Sequence, residues 1–353
     1  MKKQVSDFTG IDIYVGLDVH KKNWSVTVVV SDLVTKSFSQ EASATSLLRT
    51  LGGLYPNGNF HFVYEAGFSG FWLQRFLDQA GHDCIVVHPP DIPRTDRDRK
   101  RKNDRLDSRK LAKLLSKGVL RGIWIPTPEQ ESARALVRSR KAFRKDLTRS
   151  QNRIKMFLLY IGADIPARFS GKWSKAFVLW LTELELPLHS RIALDIYLKS
   201  YHAAKEILTE VDRQIKKLAA SPTFAKGVRQ LTSTPGIGLL SAMIILSEVA
   251  DIKRFASRDH FCSFAGLVPN FHNSGEQSAD GPITMRRNAM LRNIIIECAW
   301  VAIRHDPALT IAFSKYKQRM IGSKAIVKIA RKLLARIRHL LISGESYQIG
   351  VVG

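Results

Sequence analysis

Ile11–Ser31 reads IDIYVGLDVHKKNWSVTVVVS, and its pattern decides the fold of the first third of the chain. Ile11, Ile13, Val15 and Leu17 are apolar at every second position, and Trp24, Val26, Val28 and Val30 repeat that period. This alternation belongs to half-buried β-strands, and His20-Lys21-Lys22-Asn23 supplies a polar hairpin connection. One carboxylate, Asp18, stands near the end of the first strand. By itself it reads as a solvated strand-end acid. An acid in this place is also how metal-dependent nuclease cores begin.

From the hairpin to about Lys117, strand and helix signals alternate. Ser46–Leu54 reads as a short helix ended by Gly52-Gly53, and Phe60–Glu65 as a strand finishing in an acid. Phe71–Ala80 is helical up to the stop at Gly81, and Cys84–His88 is a buried strand ended by Pro89-Pro90. A basic loop, Arg94–Lys102, precedes a helix from Asp104 to about Ser116. An antiparallel start followed by strand–helix units predicts an α/β domain, a mixed sheet with helices on its faces.

Ile125-Pro126-Thr127-Pro128 is the clearest linker, and Glu129–Tyr160 then reads as a long helix. Its apolar stripe runs through Leu136, Phe143, Leu147, Ile154, Phe157 and Leu158. The remaining face carries Arg134, Arg138, Arg140, Lys141, Arg144, Lys145, Arg149, Arg153 and Lys155, with Asp146 the only acid among them. So many like charges repel along a bare helix, which points to a face that follows phosphates. A second helix, about Arg191–Ala220, is expected to pair antiparallel with the first as a coiled coil, or to form a contact between copies. An irregular stretch with Pro166, Trp173, Trp180 and Pro187 joins the two.

Pro222 marks the next boundary. The expected segments are therefore 1–127, 128–222 and 223–353, the last mostly α-helical. In it, Pro235-Gly236-Ile237-Gly238 sits between two helical stretches. It reads either as the hairpin of a helix-hairpin-helix element, with Gly236 and Gly238 letting backbone N–H groups approach a phosphate, or as a tight turn between core helices. Phe255–Leu267 is helical, and Val268–Thr284 reads as a polar loop. Arg286, Arg287 and Arg292 are expected on a helix running to about His305. No acid occurs between Asp306 and Glu345, where basic residues recur.

Fifty-five Lys plus Arg against 31 Asp plus Glu give a formal charge of +24, so the partner is polyanionic and nucleic acid is the first choice. The basic residues are spread over several segments, unlike a juxtamembrane block. Cys84, Cys262 and Cys298 have no metal-site spacing, so reduced, buried thiols and a cytosolic protein are expected. No apolar run approaches the roughly 18 residues of a membrane helix, and no signal peptide is evident.

Four acids of the first segment could serve a metal: Asp18, Glu65, Asp104 and Asp107. The last two are three apart at a helix start and share a side. Clustered carboxylates repel unless a cation sits among them, and hard oxygen ligands suit Mg²⁺, or Mn²⁺ in its place. Two such ions would clamp the attacking and leaving oxygens of a phosphodiester. Helix capping also accounts for Asp104 and Asp107, but not for Asp18 or Glu65. Asp91, Asp96 and Asp98 compete from the basic loop.

Gly16-Leu17-Asp18-Val19-His20-Lys21, Tyr64-Glu65-Ala66-Gly67 and Lys102-Asn103-Asp104-Arg105-Leu106-Asp107-Ser108-Arg109-Lys110-Leu111-Ala112 resemble the motifs of the DEDD insertion-sequence transposases. Pro235-Gly236-Ile237-Gly238, Phe264-Ala265-Gly266-Leu267-Val268-Pro269 and Ser274-Gly275 follow in the order of that family's C-terminal domain. The resemblance covers nearly the whole chain. It implies a RuvC-like first domain whose Asp18, Glu65, Asp104 and Asp107 bind Mg²⁺. It also implies Ser274 as a nucleophile forming a phosphoserine link to DNA, and a bridge RNA that pairs with donor and target DNA. A homodimer or homotetramer is implied as the working form. From the residues alone Ser274-Gly275 is an ordinary turn. His272 is a candidate base, and Ser241 a rival serine set among apolar neighbours.

Expected nucleic-acid contacts are Arg97, Lys100, Arg101 and Lys102 of the basic loop, Arg138, Lys141, Arg144 and Lys145 of the long helix, Gly236 and Gly238, and Arg286, Arg287 and Arg292. Two other functions compete: a RuvC-like structure-specific endonuclease using metal-activated water, and a non-catalytic nucleic-acid scaffold. A sugar-kinase or actin-like ATPase shares the opening strand-turn-strand, but His20-Lys21-Lys22 lacks its phosphate-gripping Gly-Thr/Ser turn, which argues against that reading.

Overall fold

The computed structural model describes residues 7–93, 104–169, 171–274 and 277–349, with the side chains of 104–106 and 271–282 outside that description. The chain divides into two compact units, Met1–Ile125 and Pro126–Gly353.

In the first unit the opening stretch folds as its alternation predicts, into β1 (Asp12–Val19) and β2 (Asn23–Val30), paired antiparallel. A third antiparallel strand, β3 (Leu33–Glu41), follows where no strand was expected. Its exposed, mixed composition, LVTKSFSQE, is that of an edge strand. α1 (Ala44–Leu54) is capped by Ser43, whose hydroxyl accepts from the Ser46 N–H. Next come β4 (Asn59–Glu65), α2 (Trp72–Gln79) and β5 (Asp83–Val87), and then α3 (Asp104–Ser116). The sheet order is β3-β2-β1-β4-β5, with β1, β4 and β5 parallel.

Period two sorts the side chains between two faces. Ile13, Val15, Leu17, Trp24, Val26, Phe60, Phe62 and Tyr64 are buried with Leu47 and Leu51 of α1 and Leu73 and Leu77 of α2. Val63 and Val87 are buried on the other face with Leu111 of α3. The sheet is thus a middle layer between helices, as expected for the α/β segment.

The second unit is helical apart from one hairpin. α4 (Pro128–Tyr160) starts with a reciprocal capping box between Thr127 and Gln130, and α5 (Lys175–Glu183) precedes α6 (Leu188–Ala219). Ala133 and Val137 of α4 pack with Val211, Ile215 and Ala219 of α6, while Ile154 and Leu158 pack with Leu194 and Leu198. The two long helices therefore run antiparallel, and Phe169, Phe177 and Leu181 of the connecting stretch close their far end.

α7 (Pro222–Thr232), α8 (Leu239–Val249), α9 (Arg258–Ala265), α10 (Ala289–Ala302), α11 (Pro307–Lys317) and α12 (Gly322–Ser343) complete the unit. The expected break near residue 222 is not a break in packing. Val137 of α4 and Ile215 of α6 share a buried cluster with Phe224 of α7 and Met243 of α8. The stretch expected as a loop, 268–284, instead pairs as an antiparallel hairpin, β6 (Pro269–Ser274) and β7 (Gln277–Ile283). Its glycine, serine and proline content hid the pairing, because two isolated strands need little apolar alternation. No described helix is long and apolar enough to cross a membrane. The three cysteines are unpaired and buried, and burial raises each thiol pKa.

Candidate functional site

The parallel register sets Leu17 of β1 beside Tyr64 of β4, so Asp18 and Glu65 follow at the same edge of the sheet, their backbones about 5 Å apart. They also share a face. Gly16 lies against α3, so Asp18 two residues on points the same way, and Glu65 follows Val63 by two.

Helix α3 reaches this edge by an unusually close approach. A Cβ on Gly16 would stand 2.2 Å from the Ser108 carbonyl oxygen and 2.5 Å from the Ala112 nitrogen. Only glycine admits a helix backbone there. Ser108 is buried, and its hydroxyl bonds that of Thr27, the residue facing Gly16 across the hairpin, at 3.0 Å. Further along, the Ser116 hydroxyl donates to Asp32 just beyond the end of β2. Since β2 is antiparallel to β1, α3 runs opposite to β1. Its first turn, with Asp104 and Asp107, therefore points to the edge that holds Asp18 and Glu65. The partial positive charge of that helix start also favours anions there.

Two strand ends and a helix start thus place three carboxyl-bearing positions on one face at one edge; the side chain of Asp104 lies outside the described residues. The oxygen donors suit a hard divalent cation. As placed, no three described Asp, Glu, His or Cys side chains close around a metal position. Asp18 Oδ2 instead lies 3.1 Å from His20 Nε2.

Ser274 ends β6 and faces Gln277 in the register, with its side chain, like that of His272, outside the description. The base of its hairpin is firmly held. The Thr284 N–H donates to Val268 O at 3.0 Å, and Arg292 donates from Nη2 to the Thr284 carbonyl. Arg292 is buried, with its Nη2 directly beneath the Gly266 turn. It anchors the hairpin, which corrects the expectation of a nucleic-acid contact. Arg286 and Arg287 precede α10 and are exposed; they are not on the helix as expected.

The cationic stripe of α4 is divided by tertiary partners. Arg138 donates from Nε and Nη2 to both oxygens of Glu248, at 2.7 Å each, and Arg134 Nε donates to Ser247 O. Arg138 is thereby an ion-pair partner of Glu248, with its side chain still 56% exposed. Arg140 pairs with Asp212, and Arg149 with Asp146. Lys141, Arg144 and Lys145 remain exposed, and Arg144, Lys145, Arg149 and Arg153 line an open groove beside Phe157, Tyr160 and Tyr197. The expected contacts Arg97, Lys100, Arg101 and Lys102 lie outside the described residues.

Glu248, 1% exposed, was not singled out from the sequence, although a lone acid in the apolar run LLSAMIILSEV is the signal for a buried pair. Burial opposes its ionisation. Hydrogen bonds from Arg138 and Asn288 and the charges of Arg138 and Arg134 outweigh that penalty and hold its pKa below the ordinary value. Asn288 also caps α10 through the Leu291 N–H, so Glu248 links α4 to the foot of the Ser274 hairpin.

Gly236 has φ +87°, and a Cβ there would meet Cys298 O at 2.5 Å. Close packing against α10 thus explains this glycine as part of a tight turn between core helices. Gly238 has open space around it and stands at the N-cap of α8.

Two family models match the chain: "Transposase IS116/IS110/IS902 family" over residues 228–314, and DEDD_Tnp_IS110, described as "Transposase", over residues 15–162. Among curated relatives, the transposase for insertion sequence element IS1533 of Leptospira borgpetersenii is 32% identical over 298 residues, covering 82% of this chain and 84% of that protein. The transposase for insertion sequence element IS1111A of Coxiella burnetii is 28% identical over 296 residues, covering 82% and 79% respectively.

Proposed function

The chain belongs to the IS116/IS110/IS902 transposase family, and on that premise we propose that it cuts and rejoins donor and target DNA through Ser274 and a divalent-metal site at the acidic edge. The observation that carries this reading is the meeting of Asp18, Glu65 and the first turn of α3 on one face of the sheet edge. Those residues would hold Mg²⁺, or Mn²⁺ in its place, which when bound polarises the scissile phosphate and stabilises charge on its oxygens.

In the proposed reaction the Ser274 hydroxyl attacks phosphorus. Its proton leaves to solvent or a nearby base, the P–O bond to one DNA strand breaks, and the departing oxygen takes up a proton from the same source and leaves as a free DNA hydroxyl. One phosphate ester replaces another, so bond energy is kept and no nucleotide triphosphate is needed. Attack by a hydroxyl of the other DNA reverses the step and completes strand exchange. Arg286 and Arg287, near the Ser274 hairpin in sequence and exposed, would offset charge on the pentacovalent phosphorus. A structured guide RNA would pair with both DNAs and so choose the target. The +24 charge and the exposed cations of α4 suit such a second polyanion. An oligomer of the chain is proposed as the working form.

The test is Ser274→Ala in the full chain with donor and target DNA. Loss of the covalent protein–DNA adduct and of strand exchange is expected, with DNA binding kept. Cleavage that persists at wild-type rate would make water the nucleophile and the protein a RuvC-like endonuclease. Activity in a preparation freed of RNA would remove the guide.

A further inference from the structure

The loop that follows Glu65 carries two aromatic rings into solvent at the same edge as the acids. Phe68 is 71% exposed and Trp72, the first residue of α2, is 48% exposed. A single exposed aromatic ring needs no explanation. These two differ because the loop that presents them is fixed from several sides.

The Gly70 N–H donates to Gly67 O, closing a tight turn in which Gly70 has φ +57°. Tyr64, fully buried, donates its hydroxyl proton to Gly70 O at 3.0 Å, and its oxygen accepts from the Gln74 N–H. That second bond satisfies a donor of the first turn of α2, which Phe71 leaves without a side-chain cap. Ser69 is buried while its neighbour Phe68 faces outward. Trp72 rests near the buried Trp24, with ring centroids 6.1 Å apart. Trp24 in turn pairs with Val19, one residue beyond Asp18. The turn thus holds Phe68 at its crown without burying it, and an apolar ring held in water is unfavourable by itself.

Three residues span at most about 11 Å, so Phe68 lies within that distance of Glu65, Cα to Cα. At about 3.4 Å per base step, this is within roughly three nucleotides of a phosphate held at the acidic edge.

We propose that Phe68, with Trp72 presented by the same loop, is a stacking platform for an unpaired nucleobase of the DNA strand whose phosphate lies at the acidic edge. The inference rests on the assignment of that edge to DNA chemistry. A flat ring carried on a fixed turn accepts any base on its face and, having only two side-chain torsions, loses little freedom in doing so. It would hold one base out of the duplex stack and thereby set the position of the neighbouring phosphate. Phe68 is in this sense a positioning residue.

The test uses the full chain and a short single-stranded DNA carrying one 5-iodo-deoxyuridine, which photo-crosslinks to an aromatic ring stacked upon it. It is run at high salt, where phosphate contacts with the basic surface are weakened. The expected crosslink is on the peptide from Thr50 to Arg75. It should be lost in Phe68→Ala and kept in Phe68→Tyr. Phe68→Ala should weaken affinity for this DNA roughly 5- to 150-fold, the range for one stacked base. An abasic site in place of the iodinated base should erase that difference between wild type and Phe68→Ala.

Crosslinks confined to other peptides would overturn the proposal. So would a loss of affinity that is equal with the abasic DNA, or a Phe68→Ala effect that lies in self-association alone. Binding and crosslinking need no cleavage, so the failure of the metal assignment is read separately. Asp107→Asn that leaves DNA cleavage intact would refute the metal site while the crosslink still reports on Phe68.

Discussion

Gly16→Ala tests the link between the fold and the acidic edge. The new methyl carbon would stand 2.2 Å from the Ser108 carbonyl oxygen, against a normal carbon–oxygen contact of about 3.3 Å. The obstacle is helix backbone, which has no rotamer to change, so α3 must retreat by about 1 Å. Overpacking of this kind destabilises by about 1–3 kcal/mol, and the Thr27–Ser108 hydrogen bond adds to the loss if it breaks. Thermal unfolding of the first unit should fall by roughly 3–12 °C. Amide exchange should quicken in α3 and in the β1–β2 pair. Displacing Asp107 from Asp18 and Glu65 by about 1 Å should lower DNA cleavage on the order of 100-fold.

Gly52→Ala and Gly53→Ala are the controls. Both lie inside α1 with open space around them, and each should stabilise by up to about 1 kcal/mol. A Gly16→Ala protein that unfolds at the wild-type temperature and cleaves at the wild-type rate would refute the claim that α3 delivers its acids through this contact.

Glu248→Ala should destabilise the second unit by about 3 kcal/mol, the low end for a broken buried pair because Arg138 still reaches water. The pH dependence follows from the direction of the shift. Glu248 has a lowered pKa when folded, so its contribution is complete above the unfolded carboxylate value of about 4.3 and is lost as pH falls through the lower folded value. Denaturant titrations between neutral and acidic pH should therefore show a shallower acid loss in Glu248→Gln than in wild type. For nucleic acid, replacing Lys141, Arg144 or Lys145 by Ala should reduce the salt slope of duplex-DNA binding by about 0.9 for each phosphate that is no longer neutralised. Arg140→Ala should leave that slope unchanged, because Asp212 already neutralises the guanidinium; binding isotherms across a salt series read both.

Much of the molecule was legible in residue order because its signals are local. Period-two alternation marked β1 and β2, short apolar runs ended by an acid or by prolines marked β4 and β5, and helical stripes marked α3, α4 and α6. The four acids were legible as candidates for the same reason, each sitting at an element end where its neighbours predict no burial. β3 was missed because an edge strand with one weakly covered face carries a mixed pattern. The β6–β7 hairpin was missed because its composition is that of a turn.

The sequence by itself determined most of the elements and which residues are candidates for chemistry. Only the tertiary structure decided where those residues meet. The α3 start points to Asp18 because Gly16 lets the helix lie close against β1 while Thr27–Ser108 and Ser116–Asp32 set its direction. Among the cations of α4, Arg138 is held in an ion pair because Glu248 stands 110 positions from it in sequence and beside it in space. Burial and long-range charge are properties of the packed chain, and no reading of neighbours along it contains them.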